Sequence, residues 1–359
     1  MQWTGYIYRT ALLLVAFITF TINVTAQDNH KWYFEYPEKI VGFTQHSIDK
    51  TSHLIDKYLD QKDSLYVVPN RYKLTLMAQY TNSYEYYRFA APQSRQSITL
   101  TPENSDKIGF YIGWKWIFLG WAFDISKNRA KTDWNFSFYT SKIGVDLFYR
   151  KRSDGFRLSK IDGLTYSDGK EITSHSNRFD GISIAQKGIN VYYIFNNKRF
   201  SYPAAYSQTT TQRISSGSFI LGINYSEQSF RMDHTFFDPH VQSAMSESLK
   251  FHYAEYKDFS INFGYTYNWV IAKNYLANIS LTPGIGYKGT SLRFETEKDL
   301  LENINFDFIT RAALLYNNSR YFIGASVISH TYSYRKRELS IINSFGTINV
   351  YAGINLFKK

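Results

Sequence analysis

The chain has 359 residues, enough for one large domain or two ordinary ones, and it is rich in rings, with 31 Tyr, 28 Phe and 7 Trp. It has no cysteine, which excludes disulfides, thiolate metal sites, cysteine nucleophiles and anchoring through a lipidated N-terminal Cys. A mean hydropathy of −0.36 leaves no room for a bundle of apolar helices, and the net charge of +11 is scattered, which suits anionic lipid head groups better than nucleic acid.

The N-terminus reads as a signal peptide over residues 1–26. Arg9 supplies the positive charge, ALLLVAFITF (11–20) the apolar core, and Val24-Thr25-Ala26 the small residues for cleavage before Gln27. The apolar run is shorter than the ~18–20 residues that a spanning helix needs. Residues 27–70 form an N-terminal periplasmic segment. Within it, Ile48, Leu54, Ile55, Tyr58 and Leu59 have the spacing of one short amphipathic helix over 46–63, a solvated linker being the alternative.

From 71 to 359 the main signal is alternation with period two. Tyr72, Leu74, Leu76, Ala78 and Tyr80 begin it, and Ile108, Phe110, Ile112, Trp114, Trp116 and Phe118 read as one strand. In 134–149 the parity flips between Phe138 and Ile143, which predicts a bulge near Thr140-Ser141. Segments 189–195 and 218–226 follow. The clearest case is 259–271, where Phe259, Ile261, Phe263, Tyr265, Tyr267, Trp269 and Ile271 oppose Ser260, Asn262, Gly264, Thr266, Asn268 and Val270. After a short turn at Lys273-Asn274 the pattern restarts over 277–288, and it recurs at 304–316, 321–327 and 348–356. About ten strands result, with two more possible at 94–101 and 155–161.

A soluble sandwich would bury the apolar face, whereas a membrane barrel turns it to lipid. The polar face carries both signs beside glycine and asparagine, pairing Asp307 with Arg311 and Lys142 with Asp146. The strands exceed the ~5–6 residues usual in soluble sheets, and aromatics gather at their ends. Connections near 90, 151, 229 and 290 are long, while those near 127, 273 and 318 are short. The prediction is an all-β, antiparallel, up-and-down transmembrane β-barrel of about 10–12 strands in the outer membrane, with short turns in the periplasm. Its partners would be outer-membrane lipid and the barrel-assembly machinery, with no nucleic acid and an unknown external ligand. Phe357 is followed by Lys358 and Lys359, a departure from chains that end on an aromatic assembly signal.

One connection breaks the rule of short turns. FNNKRFSYPAAYSQTTTQRISSGS (195–218) joins two strands on the side where a few residues suffice. Its small residues allow close packing, and Arg199 and Arg213 have the reach to meet carboxylates in the lumen, where a buried charge needs a partner. We expect 200–214 to fold inward as a partial plug; two strands prolonged into a hairpin are the alternative. With Lys115, Lys142, Asp146, Asp307 and Arg311, the two arginines make up the candidate lumen set.

The run NVYYIFNNKRFSYPAAYSQTTTQRISSGSFILGINY (190–225) and the lead-in DKYLDQKDSLYV (56–67) resemble the family called domain of unknown function 4421 (DUF4421), exported proteins of Bacteroidota. The resemblance covers about 55 to 357 and implies an exported β-barrel with no established activity and no catalytic residues to carry over.

Catalytic and metal chemistry is thin. MDHTFFDPH (232–240) sets His234 and His240 near Asp238, a weak metal candidate lacking the tight ligand spacing of structural zinc. Ser326 and His330 share a face but lie ~13 Å apart along a strand. Asp154-Gly155, Asp162-Gly163 and Asp168-Gly169 read as turns. No cofactor and no catalysis are expected. A structural or binding barrel with a partly filled lumen is the first reading; a narrow pore for a small solute and a lipid-modifying hydrolase are the alternatives.

Overall fold

Alternating ring-rich segments satisfy their backbone groups only by pairing sideways, and here they pair into one large antiparallel sheet. The computed structural model describes residues 62–114, 117–125, 131–173, 177–293, 298–335 and 339–358. The signal peptide and the 46–63 helix fall almost wholly outside them. All described residues belong to one compact unit, Thr51–Lys359.

In chain order the first strands are β1 (Val67–Pro69), β2 (Tyr72–Ala91), β3 (Gln96–Pro102), β4 (Ser105–Trp114), β5 (Ile117–Asp124) and β6 (Lys131–Tyr139). Next come β7 (Ile143–Arg152), β8 (Phe156–Asp162), β9 (Asn177–Phe179), β10 (Ile182–Ile194), β11 (Thr210–Gln212) and β12 (Ser216–Met232). The last are β13 (Tyr253–Ala272), β14 (Tyr275–Arg293), β15 (Lys298–Asn317), β16 (Tyr321–Arg335) and β17 (Ser340–Lys358). Two helices matter below: α1 (Tyr202–Tyr206) and α2 (Pro239–Ala244).

Among the described residues twelve strands build the wall in up-and-down order: β2, β4, β5, β6, β7, β10, β12, β13, β14, β15, β16 and β17. The last meets the first, with β17 paired to β2 from Ser340↔Ala90 to Lys358↔Tyr72. The sheet is left open at one seam, since β5 and β6 are not paired to each other among the described residues. Beyond the wall, β2 forks. Its residues 74–83 pair with β4, while Tyr87–Ala91 pair with β3, which carries β8 and β9 beside it.

The wall turns its apolar residues outward. On β13, Phe263 is 54% and Trp269 57% exposed, while Ser260, Thr266 and Asn268 are wholly buried. Outward apolar residues run from Phe259 to Ile271, twelve residue steps. At ~3.4 Å per residue and a wall tilt of ~40° they cover about 30 Å along the axis, the thickness of a bilayer's hydrocarbon. Among the described residues no helix is long and apolar enough to cross a membrane.

The structure corrects four details. Trp114 pairs with Ile117, so the expected strand 108–118 is two strands, reversed between those residues. The bulge expected near Thr140-Ser141 is also a reversal. Tyr139 faces Gly144, and the Thr140 backbone N–H donates to the Ile143 carbonyl at 2.9 Å. With these two turns at one end, the connection near 127 moves to the end with the long loops. Finally, the possible strands at 94–101 and 155–161 exist as β3 and β8, but they lie outside the wall.

Candidate functional site

Among the described residues the interior of the wall is rich in buried polar side chains, and it is filled at three levels. At the turn end, 195–215 folds inward. Pro203 presets the first turn of α1, whose five residues are too few to stand alone. Ala204 and Ala205 pack against Leu276, Ala313 and Leu315 of the wall. The tyrosines on either side reach its polar face: the Tyr202 and Ser280 hydroxyls lie 2.6 Å apart, and the Tyr206 hydroxyl donates to Asn278 Oδ1 at 2.7 Å. Gln208, at φ +54°, reverses the chain and donates to the Tyr351 hydroxyl at 3.1 Å.

Two short strands latch this segment. β1 pairs with β11, Val67 opposite Gln212 and Pro69 opposite Thr210. The Gln212 side chain is the hub. It donates to the Arg199 carbonyl at 2.6 Å and accepts from the Ser201 backbone N–H and from Asn268 Nδ2, each at 3.1 Å.

At mid-height the lumen is ionic. Arg311 of β15 hydrogen-bonds and ion-pairs with Asp146 of β7, on the facing part of the wall, and its guanidinium lies 5.1 Å from the centre of the Tyr192 ring. Ser137 and Asn190 also donate to Asp146, at 2.7 and 3.3 Å. Nearer the loop end, Lys288 is fully buried between two carboxylates, 2.6 Å from Asp307 and 3.7 Å from Asp258, with the rings of Tyr256 and Tyr332 over it. Gly286 makes the room: a Cβ there would collide with Asp258. Arg152 and Glu85 form a third buried pair, at 3.3 Å. Among the described residues the buried ionisable acids and bases are Glu85, Asp146, Asp258 and Asp307 against Arg150, Arg152, Lys288 and Arg311, four of each.

At the loop end the interior changes character. Tyr87, Phe89, Leu100, Phe156, Phe230 and Phe251 belong to one apolar core beneath β3, β8, β9 and the 233–252 loop. Gln96 fastens that loop, donating to the Ala244 carbonyl at 2.8 Å and accepting from the Ser246 backbone N–H at 2.7 Å.

Residues 61–355 match the family described as a domain of unknown function, DUF4421. The chain belongs to this family. A search of curated proteins gave no match. Among solved structures, the outer membrane protease OmpT of Escherichia coli is similar at 8% identity and a TM-score of 0.38, over 82% of this chain and 99% of that one. The translocator domain of the autotransporter NalP of Neisseria meningitidis is similar at 6% identity and 0.30, over 89% and 98%. Ail of Yersinia pestis, solved with the heparin analogue sucrose octasulfate, is similar at 11% identity and 0.23, over 58% and 96%. Likenesses of this size carry no argument about what a DUF4421 chain does, so its own residues must.

Of the expected lumen set, Asp146, Asp307 and Arg311 are buried inside the wall. Their partners differ from those expected. Asp307 and Arg311 stand four residues apart on one strand, ~13 Å, too far to bridge, so each pairs with another strand. Lys142 lies in the turn after β6, where its carbonyl accepts from the Ile194 N–H at 2.8 Å. Lys115 falls between β4 and β5, outside the described residues. Arg199 and Arg213 do not reach lumen carboxylates, because both side chains are exposed. Arg199 lies 3.9 Å from Asp63 and over the Tyr66 ring, and Arg213 holds the Tyr66 carbonyl through its backbone N–H at 2.7 Å. Lys288, Asp258, Arg152 and Glu85 were missed as ionic residues, although parity alone puts Lys288 on the polar face.

The loop candidates do other work. Asp238 caps α2 by accepting from the His240 N–H at 2.9 Å, His240 packs on Tyr166, and His234 lies against His252. Among the described residues no three His, Asp or Glu side chains are placed to hold a metal. His330 is stacked beside Phe345 and Tyr332, and its Nδ1 has no hydrogen-bond partner.

Proposed function

We propose that the chain is an outer-membrane barrel with a closed lumen, serving as a structural or binding platform rather than as a pore or an enzyme. Its turn end faces the periplasm, and its loop end, carried on the β3–β8–β9 extension, faces outward. The observation that supports this most is the inward fold of 195–215, which fills the turn end with side chains hydrogen-bonded to the wall. A narrow pore needs a continuous water path, and this plug, the ionic layer and the apolar core each cross it. A hydrolase needs a nucleophile within hydrogen-bond reach of its base, and His330 has rings beside it instead.

The test is electrical. The purified protein is first checked for faster gel migration unheated than boiled, then reconstituted into planar bilayers. Wild type should give no steady channels, whereas replacing 200–211 by a glycine-serine linker should open discrete conductance steps. Steady channels in wild type would overturn the closed-lumen reading.

A further inference from the structure

The buried site around Lys288 holds two acids for one base. The Lys288 ammonium donates to Asp307 Oδ1 at 2.6 Å and to the Ser333 carbonyl at 2.8 Å, and it stands 3.7 Å from Asp258 Oδ1 without hydrogen-bonding to it. The other Asp258 oxygen, Oδ2, accepts from Asn224 Nδ2 at 3.3 Å and from the Ser260 hydroxyl at 3.4 Å. Asp258 Oδ1 and Asp307 Oδ2 are left buried with no donor. Both crowd the space over Gly286, where an added Cβ would meet each of them, and the two carboxyl groups are close enough to hydrogen-bond to one another.

Among the described residues no other group supplies the missing donor. The Tyr256 hydroxyl donates to Gln228 Oε1 at 2.6 Å, and the Tyr332 hydroxyl to Asn224 Oδ1 at 3.3 Å. Of the other buried bases, Arg311 holds Asp146, Arg152 holds Glu85, and Arg150 lies over the Phe345 ring at 4.4 Å. A chain of neutral side chains leads from Glu85 to the Tyr256 ring over Lys288: Tyr87 meets Gln186 at 3.3 Å, and Gln186 donates to Gln228 Oε1 at 2.9 Å. Two carboxylates in contact and away from water cannot both stay ionised; one takes up a proton and donates to the other.

We propose that Asp258 and Asp307 share one proton, the Asp258 Oδ1–H donating to Asp307 Oδ2, so that the site is neutral with Lys288 charged. The proton is then part of the filling. Once it leaves, two ionised acids face one ammonium beneath the apolar core, which makes the loop end sensitive to alkali. The test is infrared spectroscopy of the folded protein at neutral pH, in alkyl maltoside micelles that have no carbonyl of their own. A protonated carboxyl gives a C=O stretch that an ionised one lacks, and exposed acids are ionised at this pH. Wild type should show one such group per chain, its band shifting in heavy water and again when aspartate carries a heavy carbon isotope at Cγ. Asp258→Asn should fold as wild type, judged by gel migration unheated against boiled, since its amide N–H replaces the shared hydrogen bond, and it should lose the band. Asp162→Asn, at the surface, should keep it. Absence of the band in folded wild type would overturn the proposal, both acids then being ionised. So would a band that ignores the aspartate label or survives in Asp258→Asn, because the proton then sits on another carboxyl. The label reads wild type directly, so it decides the matter even if the variant does not fold.

Discussion

Removing one side of the Asp146–Arg311 pair leaves a charge buried without its partner. Such a break costs about 3–5 kcal/mol, whereas replacing both members by well-packed neutral residues is often close to neutral. Asp146→Asn and Arg311→Met should each lower the urea midpoint of unfolding sharply, and the double variant should recover most of the loss. Simple additivity of the two single effects would refute the pairing. A gentler case lies in the loop after β12. There, hydrogen bonds from the Thr235 hydroxyl and backbone N–H hold the Asp233 carboxyl below the ordinary carboxylate range. A depressed carboxyl contributes stability above its unfolded pKa of ~4 and loses it as pH falls through the lower folded value. Thr235→Ala should move the Asp233 titration, followed by NMR, back up toward ordinary. At this scale the sequence was half legible. Parity marked Asp146, Asp307 and Arg311 as inward, but the partner of an inward charge depends on curvature and strand tilt, which no local pattern encodes.

At the scale of strands, the outward band makes a depth-dependent prediction. Ile261→Arg, inside the band on β13, should cost about 2–4 kcal/mol in refolding titrations into lipid, while the same change at Tyr253, beyond its loop end, should cost about 0–1. Equal costs at the two positions would contradict the placement of the band. Long strands such as β13 and β14 were plain in the sequence because their faces differ along the whole length. The turns after β4 and β6 were not. Trp116-Ile117-Phe118-Leu119 is apolar at both parities, which hides a reversal. Around Ser141 a tight hairpin swaps parity just as a bulge does, so alternation cannot separate the two. The inward fold of 195–215 was legible from its excess length and small residues. Its arginines misled, because their charge suggested the lumen while their position in the latch sends the side chains outward.

For the molecule as a whole the formal net charge is +11, and among the described residues four buried acids meet four buried bases, so that set adds nothing to it. Closure between the first and last wall strands can be tested in a chain that has no cysteine of its own. Thr81 and Asn349 are direct partners across β2 and β17, and their side chains hydrogen-bond at 2.9 Å. A Cys pair at these positions should oxidise readily and keep the boiled, non-reduced protein migrating as a compact species. Adding reductant should abolish that effect, and failure to cross-link would contradict the register.

The contacts that fill the interior also constrain how the chain can be assembled. Asp146 and Arg311 are separated by 165 residues, and Gln208 and Tyr351 by 143. Contacts between such distant parts of a chain form slowly, since loop entropy is lost before they are gained. The C-terminal strands therefore have to arrive before the N-terminal half can settle its own interior. The strands β15 to β17 are thus what commits the interior of β7 and of the 195–215 segment.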